Sequence, residues 1–171
     1  MGVQTRCEFE KNIQPYNSFI LIGEKAGKKG LINNTGHGLT QFEYEEIQYW
    51  SDSVALVKQD YSWQLIDIFK NEKIGQKMKS FHYVRNDDVE KVIIGLVENG
   101  YGVFSNRKGE VISPTFNDVI NLGTDKAPIY FTEKHVEEAE FYVVIYYDAD
   151  GNLLYKQAFE GKDYPLIYCE Q

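Results

Sequence analysis

"NGYGVFSNRKGEVI", residues 99–112, is the stretch whose reading decides the fold. Short β-prone runs flank Asn106-Arg107-Lys108-Gly109, and an Asn followed closely by Gly marks a hairpin turn because both residues tolerate positive φ. Gly100 and Gly102 could instead open a phosphate-cradling loop. Such a loop needs a third glycine, where Ser105 stands, and then a helix whose N-terminus meets the phosphate. No helical period follows, so the stretch is expected to be a hairpin and its glycines structural.

The same pattern recurs outward from this hairpin. "GLINNTGHGLTQFEYEEI" at 30–47 aligns without a gap on "GVFSNRKGEVISPTFNDV" at 102–119, so that Gly30 meets Gly102, Tyr44 meets Phe116 and Ile47 meets Val119. The same offset of 72 residues brings "ALVK" at 55–58 onto "APIY" at 127–130. A degenerate copy lies between them, with "WQLID" at 63–67, an aromatic-x-x-aliphatic step from Phe81 to Val84, and "GLVE" at 95–98. A further copy runs from "VIYYDADGNLL" to "PLIY" at 165–168. The reading is one β-repeat domain over 1–171: a partial unit at 1–24, then units of about 36 residues at 25–60, 61–98, 99–134 and 135–171. Each unit is expected to hold three to four short strands, a hairpin followed by an aliphatic strand that leads into the next hairpin.

These residues resemble the WG-repeat family, also called KWG repeats. Its units read approximately as aromatic-Gly-aliphatic-aliphatic-Asp, a Gly turn, Pro-x-aromatic-Asp-x-aliphatic, and a Leu-Ala-Val-Lys strand. "YGVFSNRKGEVISPTFNDV" carries the pattern with Tyr101 in place of Trp, Pro114 in its place, and Asp118 before Val119. The second copy has Trp63 but Gln64 in place of Gly, the first has Lys29 in place of the aromatic, and the fourth has Val144 where the Gly would be. The structural repeat positions are thus Gly30, Gly102, Tyr101, Trp63, Gly109, Gly151, Tyr44 and Phe116. The resemblance implies a binding surface and names no partner. The expected fold is all-β, an array of antiparallel hairpins, either an open stack or propeller-like.

Composition agrees. Tyr (13) and Phe (10) dominate the large side chains, and an aromatic-rich chain favours pleated surfaces. The formal charge of −8 repels phosphate backbones and anionic membranes, and no basic stripe offsets it, so neither nucleic acid nor membrane is an expected partner. "MGVQTRCEFEK" contains no apolar run of the signal-peptide kind, which makes the cytoplasm the expected location. Cys7 and Cys169 lack metal or redox spacing; two buried thiols are expected, a disulfide between them being the alternative.

No cofactor, metal or catalytic residue is expected. "DADGN" at 148–152 would need Gly and Glu at the sixth and twelfth places of a calcium loop, where Leu153 and Phe159 stand, so it reads as a hairpin turn. His37, His82 and His135 are far apart, and no nucleophile elbow or comparable signature occurs. What remains is the acidic surface. "RNDDVEK" at 85–91 and "TEKHVEEAE" at 132–140 interrupt the repeat, the second where the interval Gly109 to Gly151 lengthens to 42 residues. Insertions in repeat arrays map to exposed and often binding loops. Glu137, Glu138 and Glu140, with Asp87, Asp88 and Glu90, are therefore the candidate partner-binding residues, and the partner is expected to be a basic protein. The favoured class is a non-catalytic protein-binding module, such as an acidic immunity protein that neutralises a basic toxin; the alternatives are a scaffold segment of a longer repeat protein and, third, an enzyme.

Overall fold

The turn at 106–109 shows how the chain builds its sheets. Gly109 adopts φ 77°, Ser105 Oγ accepts from the N–H groups of Arg107 and Lys108 at 3.1 and 3.2 Å, and the strands on either side meet with Ser105 opposite Gly109. "DADG" does the same: Gly151 has φ 78°, and Asp148 Oδ1 accepts from the N–H groups of Asp150 and Asn152 at 2.8 and 2.9 Å. Both turns read from the sequence are hairpin turns.

The computed structural model describes residues 13–168, and the chain divides into two units, up to Lys79 and from Ser80. Cys7 and Cys169 lie outside the described residues. In the first unit, β1 (Gln14–Pro15), β2 (Ile20–Lys25) and β3 (Lys28–Asn33) form a three-stranded sheet. There follows a four-stranded sheet of β4 (Glu46–Tyr49), β5 (Val54–Gln59), β6 (Ser62–Asp67) and β7 (Glu72–Met78). The second unit repeats the plan twice. One sheet is β8 (Ser80–Asn86), β9 (Lys91–Val97), β10 (Gly100–Ser105) and β11 (Gly109–Phe116). The last is β12 (Asp118–Asn121), β13 (Tyr130–Val136), β14 (Phe141–Tyr147) and β15 (Leu153–Glu160). All pairings are antiparallel between sequence neighbours, so the fold is an all-β array of hairpins. Among the described residues no helix is long and apolar enough to cross a membrane.

Sheets and sequence units are out of phase. The sequence boundaries at 60/61 and 98/99 fall at the β5–β6 and β9–β10 turns, so the two sheets they cross each take two strands from one unit and two from the next. In the first unit the core gathers Leu31, Tyr44, Ile47, Val57 and Ile66; in the second it gathers Val92, Ile94, Val103, Phe116 and Tyr130.

Pairing explains the repeat positions. The second residue of the third strand meets a large side chain from the segment that follows: Lys29 with Tyr44, Trp63 with Met78, Tyr101 with Phe116. Just past that contact the fourth strand bulges. Val103 pairs with Ile112 and Tyr101 with Phe116, which leaves Ser113-Pro114-Thr115 arched opposite Gly102. Only a residue without Cβ fits beneath this arch, since a Cβ on Gly102 would approach Ile112 O at 2.7 Å and Pro114 Cα at 2.8 Å. On Gly30 it would meet Gln41 O and the Phe42 ring at 3.0 Å. Gln64, at the same place in the second sheet, is buried and donates its amide to the carbonyl oxygens of Ile74 (2.7 Å) and Gly75 (3.3 Å) in the bulge. The pairing also corrects the second copy's alignment: Met78 holds the Tyr44 position, and Phe81, opposite Gly95, holds that of Ile47, opposite Val57. In the last sheet Ile145, opposite Thr132, occupies the glycine position that the alignment gave to Val144.

The turn between the first two strands of a sheet also repeats. Asn17, Ser51 and Asp87 each donate a backbone N–H to the carbonyl three residues on, at 3.1, 2.9 and 3.2 Å, and each accepts that residue's N–H on a side-chain oxygen at 2.9, 3.1 and 2.8 Å. One acceptor atom closes the turn whichever residue supplies it.

Candidate functional site

Charge places the site in the last sheet. The connection from β13 to β14 is a 3-10 turn over Glu137–Ala139, and Glu137, Glu138, Ala139 and Glu140 are all exposed. Glu140 takes φ 51°, an uncommon conformation for a residue with a side chain, donates its N–H to Glu137 O at 3.2 Å, and accepts from the Gly161 N–H at 3.0 Å. The three glutamates named from the sequence thus stand together on one hairpin tip.

Beside that tip is an open cleft of about 650 Å³ lined by His135, Ala139, Glu140, Tyr142, Glu160, Gly161 and Lys162. His135 stacks on Tyr142 with ring centroids 4.4 Å apart and planes 15° from parallel. The segment Gly161–Leu166, a 3-10 turn after β15, places Tyr164 on the other side of Tyr142, centroids again 4.4 Å apart. Lys162 bridges Glu160 at 2.7 Å, so an ammonium group already finds a carboxylate in this cleft. Beyond Tyr164, Tyr168 packs edge-on against Phe131 and donates its hydroxyl to Glu133, with Asp118 Oδ2 at 3.3 Å. Burial first, and then Glu133, raise the Tyr168 pKa, so the phenol stays a donor. Asp118 and Glu133 are direct cross-strand partners, a like-charge arrangement that the hydroxyl moderates.

The second acidic segment behaves differently. Arg85 Nε donates to Asp87 Oδ2 at 2.8 Å, and Asp87 Oδ1 accepts from the N–H groups of Val89 and Glu90, both at 2.8 Å. Glu90 is buried, bonded by the Ser105 hydroxyl at 2.7 Å and by Arg85 Nη1 at 3.3 Å. The Asp87 carboxyl is lowered to about 2, chiefly by the Glu90 N–H and then by Arg85. Asp88 is the carboxylate of this loop that faces solvent. The two acidic segments are therefore one exposed tip and one internally bonded turn.

Sequence reasoning did not name His135, Tyr142, Glu160, Tyr164 or Tyr168 for the cleft. The available signal was the aromatic density of "FYVVIYY" at 141–147 and "DYPLIY" at 163–168, and it does not say which rings share a face.

Comparison with known proteins gives a family match and distant structural likenesses. Residues 30–63 match the model of the WG containing repeat, from the glycine beneath the first bulge to the tryptophan that begins the next. No curated protein matches. A crystal structure of a eukaryotic initiation factor superposes with a TM-score of 0.40 and 11% identity over 87% of this chain and 44% of that one. A quinonprotein alcohol dehydrogenase-like protein from Bacteroides thetaiotaomicron superposes with a TM-score of 0.34 and 8% identity over 88% and 55%. The chain spans about half the length of these structures. The bulges opposite Gln64 and Gly102, together with the family match, lead to one conclusion: the chain carries a WG containing repeat at residues 30–63, within an all-β array of antiparallel hairpins.

Proposed function

We propose that the protein is a non-catalytic binding module of the cytoplasm that recognises a basic protein through the tip at 137–140 and the cleft beside it. The observation that carries this reading is the grouping of Glu137, Glu138 and Glu140, all exposed, at the mouth of a cleft that also holds Glu160 and the His135–Tyr142 stack. Exposed carboxylates on a protein of net charge −8 accelerate encounter with a cationic surface and pair with its guanidinium or ammonium groups. An inhibitor that neutralises a basic toxin by covering its cationic cleft fits this chemistry; neither nucleic acid nor an anionic membrane does.

The test uses a basic partner recovered by pull-down, or a toxin encoded beside this gene. Reversing Glu137, Glu138 and Glu140 together to Lys should slow association and reduce its salt dependence while leaving the melting temperature in place. Equal association rates for variant and wild type at low and moderate ionic strength would remove the tip from the interface. Protection of cells producing the toxin, lost in the triple variant, would support the inhibitor reading.

A further inference from the structure

The last strand of each four-stranded sheet has one hydrogen-bonded neighbour, and in two of these three strands a wide bulge breaks the run of pairing. In β7, Gly75 takes φ 65° in the bulge opposite Gln64, and Glu72, Lys73 and Lys77 charge the strand. In β11, Pro114 removes a donor within the bulge opposite Gly102. Bulges, prolines and lysines are the ordinary means of blunting an edge. β15 has neither proline nor glycine and a single lysine, Lys156; its register shifts once, at Leu154, and from Tyr146–Tyr155 to Phe141–Glu160 it pairs with β14 residue for residue. One strand away, Ile145 fills the glycine position and Lys156 pairs with it in register. On this strand Leu153, Leu154 and Tyr155 are 58, 54 and 53% exposed.

We propose that β15 is a dimerisation edge, at which two copies of the chain pair their β15 strands antiparallel about a two-fold axis through Gln157. Opposed residues lie on the same face of a sheet, and an axis normal to the sheet gives both copies the same face, so the axis must pass through a residue. At Lys156 it would set two lysines against each other. At Gln157 it sets Tyr155 against the second copy's Phe159, Lys156 against its Ala158 and Leu154 against its Glu160, with Lys156 diagonal to its Glu160 on one side and its Lys156 on the other. Tyr155 already shares a face with Gln157, its hydroxyl donating to Gln157 Oε1 at 2.9 Å. The strand itself is neutral, with Lys156 against Glu160, although each copy carries −8 overall. Salt therefore strengthens this dimer by screening the copies' net repulsion.

Sedimentation equilibrium of the full chain, from micromolar to on the order of 1 mM and at low and moderate salt, tests the proposal. A dimer that tightens with salt is expected, and a chain monomeric throughout overturns it. Ala158→Lys, which would face the second copy's Lys156, should weaken the dimer at least about tenfold without lowering the melting temperature, because the side chain is exposed. A dimer unchanged in that variant places the interface elsewhere and overturns the proposal. Register is read in a Cys7→Ser/Cys169→Ser background: Gln157→Cys should form a disulfide-linked dimer readily and Lys156→Cys poorly. Equal cross-linking at the two positions overturns the axis at Gln157.

Discussion

Gly102 lies against Pro114 so closely that a Cβ on the glycine would stand 2.8 Å from the proline Cα. The neighbour is backbone and cannot rotate away. Replacing Gly102 with Ala should therefore cost about 1–3 kcal/mol in urea unfolding. Gly30→Ala should cost less, because one of its two nearest neighbours is the Phe42 ring, a side chain with rotational freedom. Equal stability of Gly102→Ala and wild type would show that the arch over β10 is not rigid.

Gln64 makes the converse prediction. Its amide faces carbonyl oxygens, so a carboxylate in its place would set acceptor against acceptor in a buried position. Gln64→Glu should melt well below wild type at pH 7 and regain part of the loss at pH 5 as the acid takes up a proton. Gln64→Leu, which only removes the donor, should cost about 1 kcal/mol at either pH. Melting curves of both variants at the two values decide the matter.

Asp87 sets a pH dependence whose sign follows from its surroundings. Its folded pKa of about 2 lies below the ordinary value of 3.8, so the carboxylate stabilises the fold fully above that value. The contribution is lost as pH falls from there through about 2. Asp87→Asn keeps an acceptor for the Val89 and Glu90 N–H groups but loses the charge facing Arg85. It should be less stable than wild type at pH 6, with a gap that closes toward pH 2. A gap of constant size would mean that Asp87 acts only as a neutral acceptor.

Asp148 and Asp150 should ignore calcium. Both Asp148 oxygens accept from the turn, Oδ2 from Asn152 Nδ2 at 2.9 Å, and Asp150 pairs with Lys108. Millimolar Ca²⁺ should leave the melting temperature where it is. A saturable rise that disappears in Asp150→Ala would make this turn a metal site instead.

The hairpins were legible because their turn chemistry is local: "NRKG" and "DADG" carry both the left-handed glycine and the oxygen that caps the turn within five residues. The offset of 72 residues was legible because Gly30 and Gly102 both sit where the backbone of the following segment leaves no room for a Cβ. The middle copy was placed three residues out, since Met78 fills an aromatic's place and Phe81 an aliphatic's, and volume alone does not distinguish them. The acidic tip was visible as a run of charge. The inward bonding of Glu90 was not, because Ser105 reaches it from the neighbouring strand, 15 residues on in sequence. Nor was the cleft, whose Tyr164 arrives from the segment after β15.

Asn17, Ser51 and Asp87 close the same turn with three different side chains, and the difference bears on how the chain avoids entangling itself. Adjacent repeats with near-identical strands can exchange partners during folding and trap the chain in a mispaired state. A turn that asks only for one oxygen lets neighbouring copies drift apart in sequence while each keeps its geometry. Divergence here is thus a safeguard of folding fidelity, and restoring every copy to a common sequence would slow productive folding even where it raised the stability of each sheet.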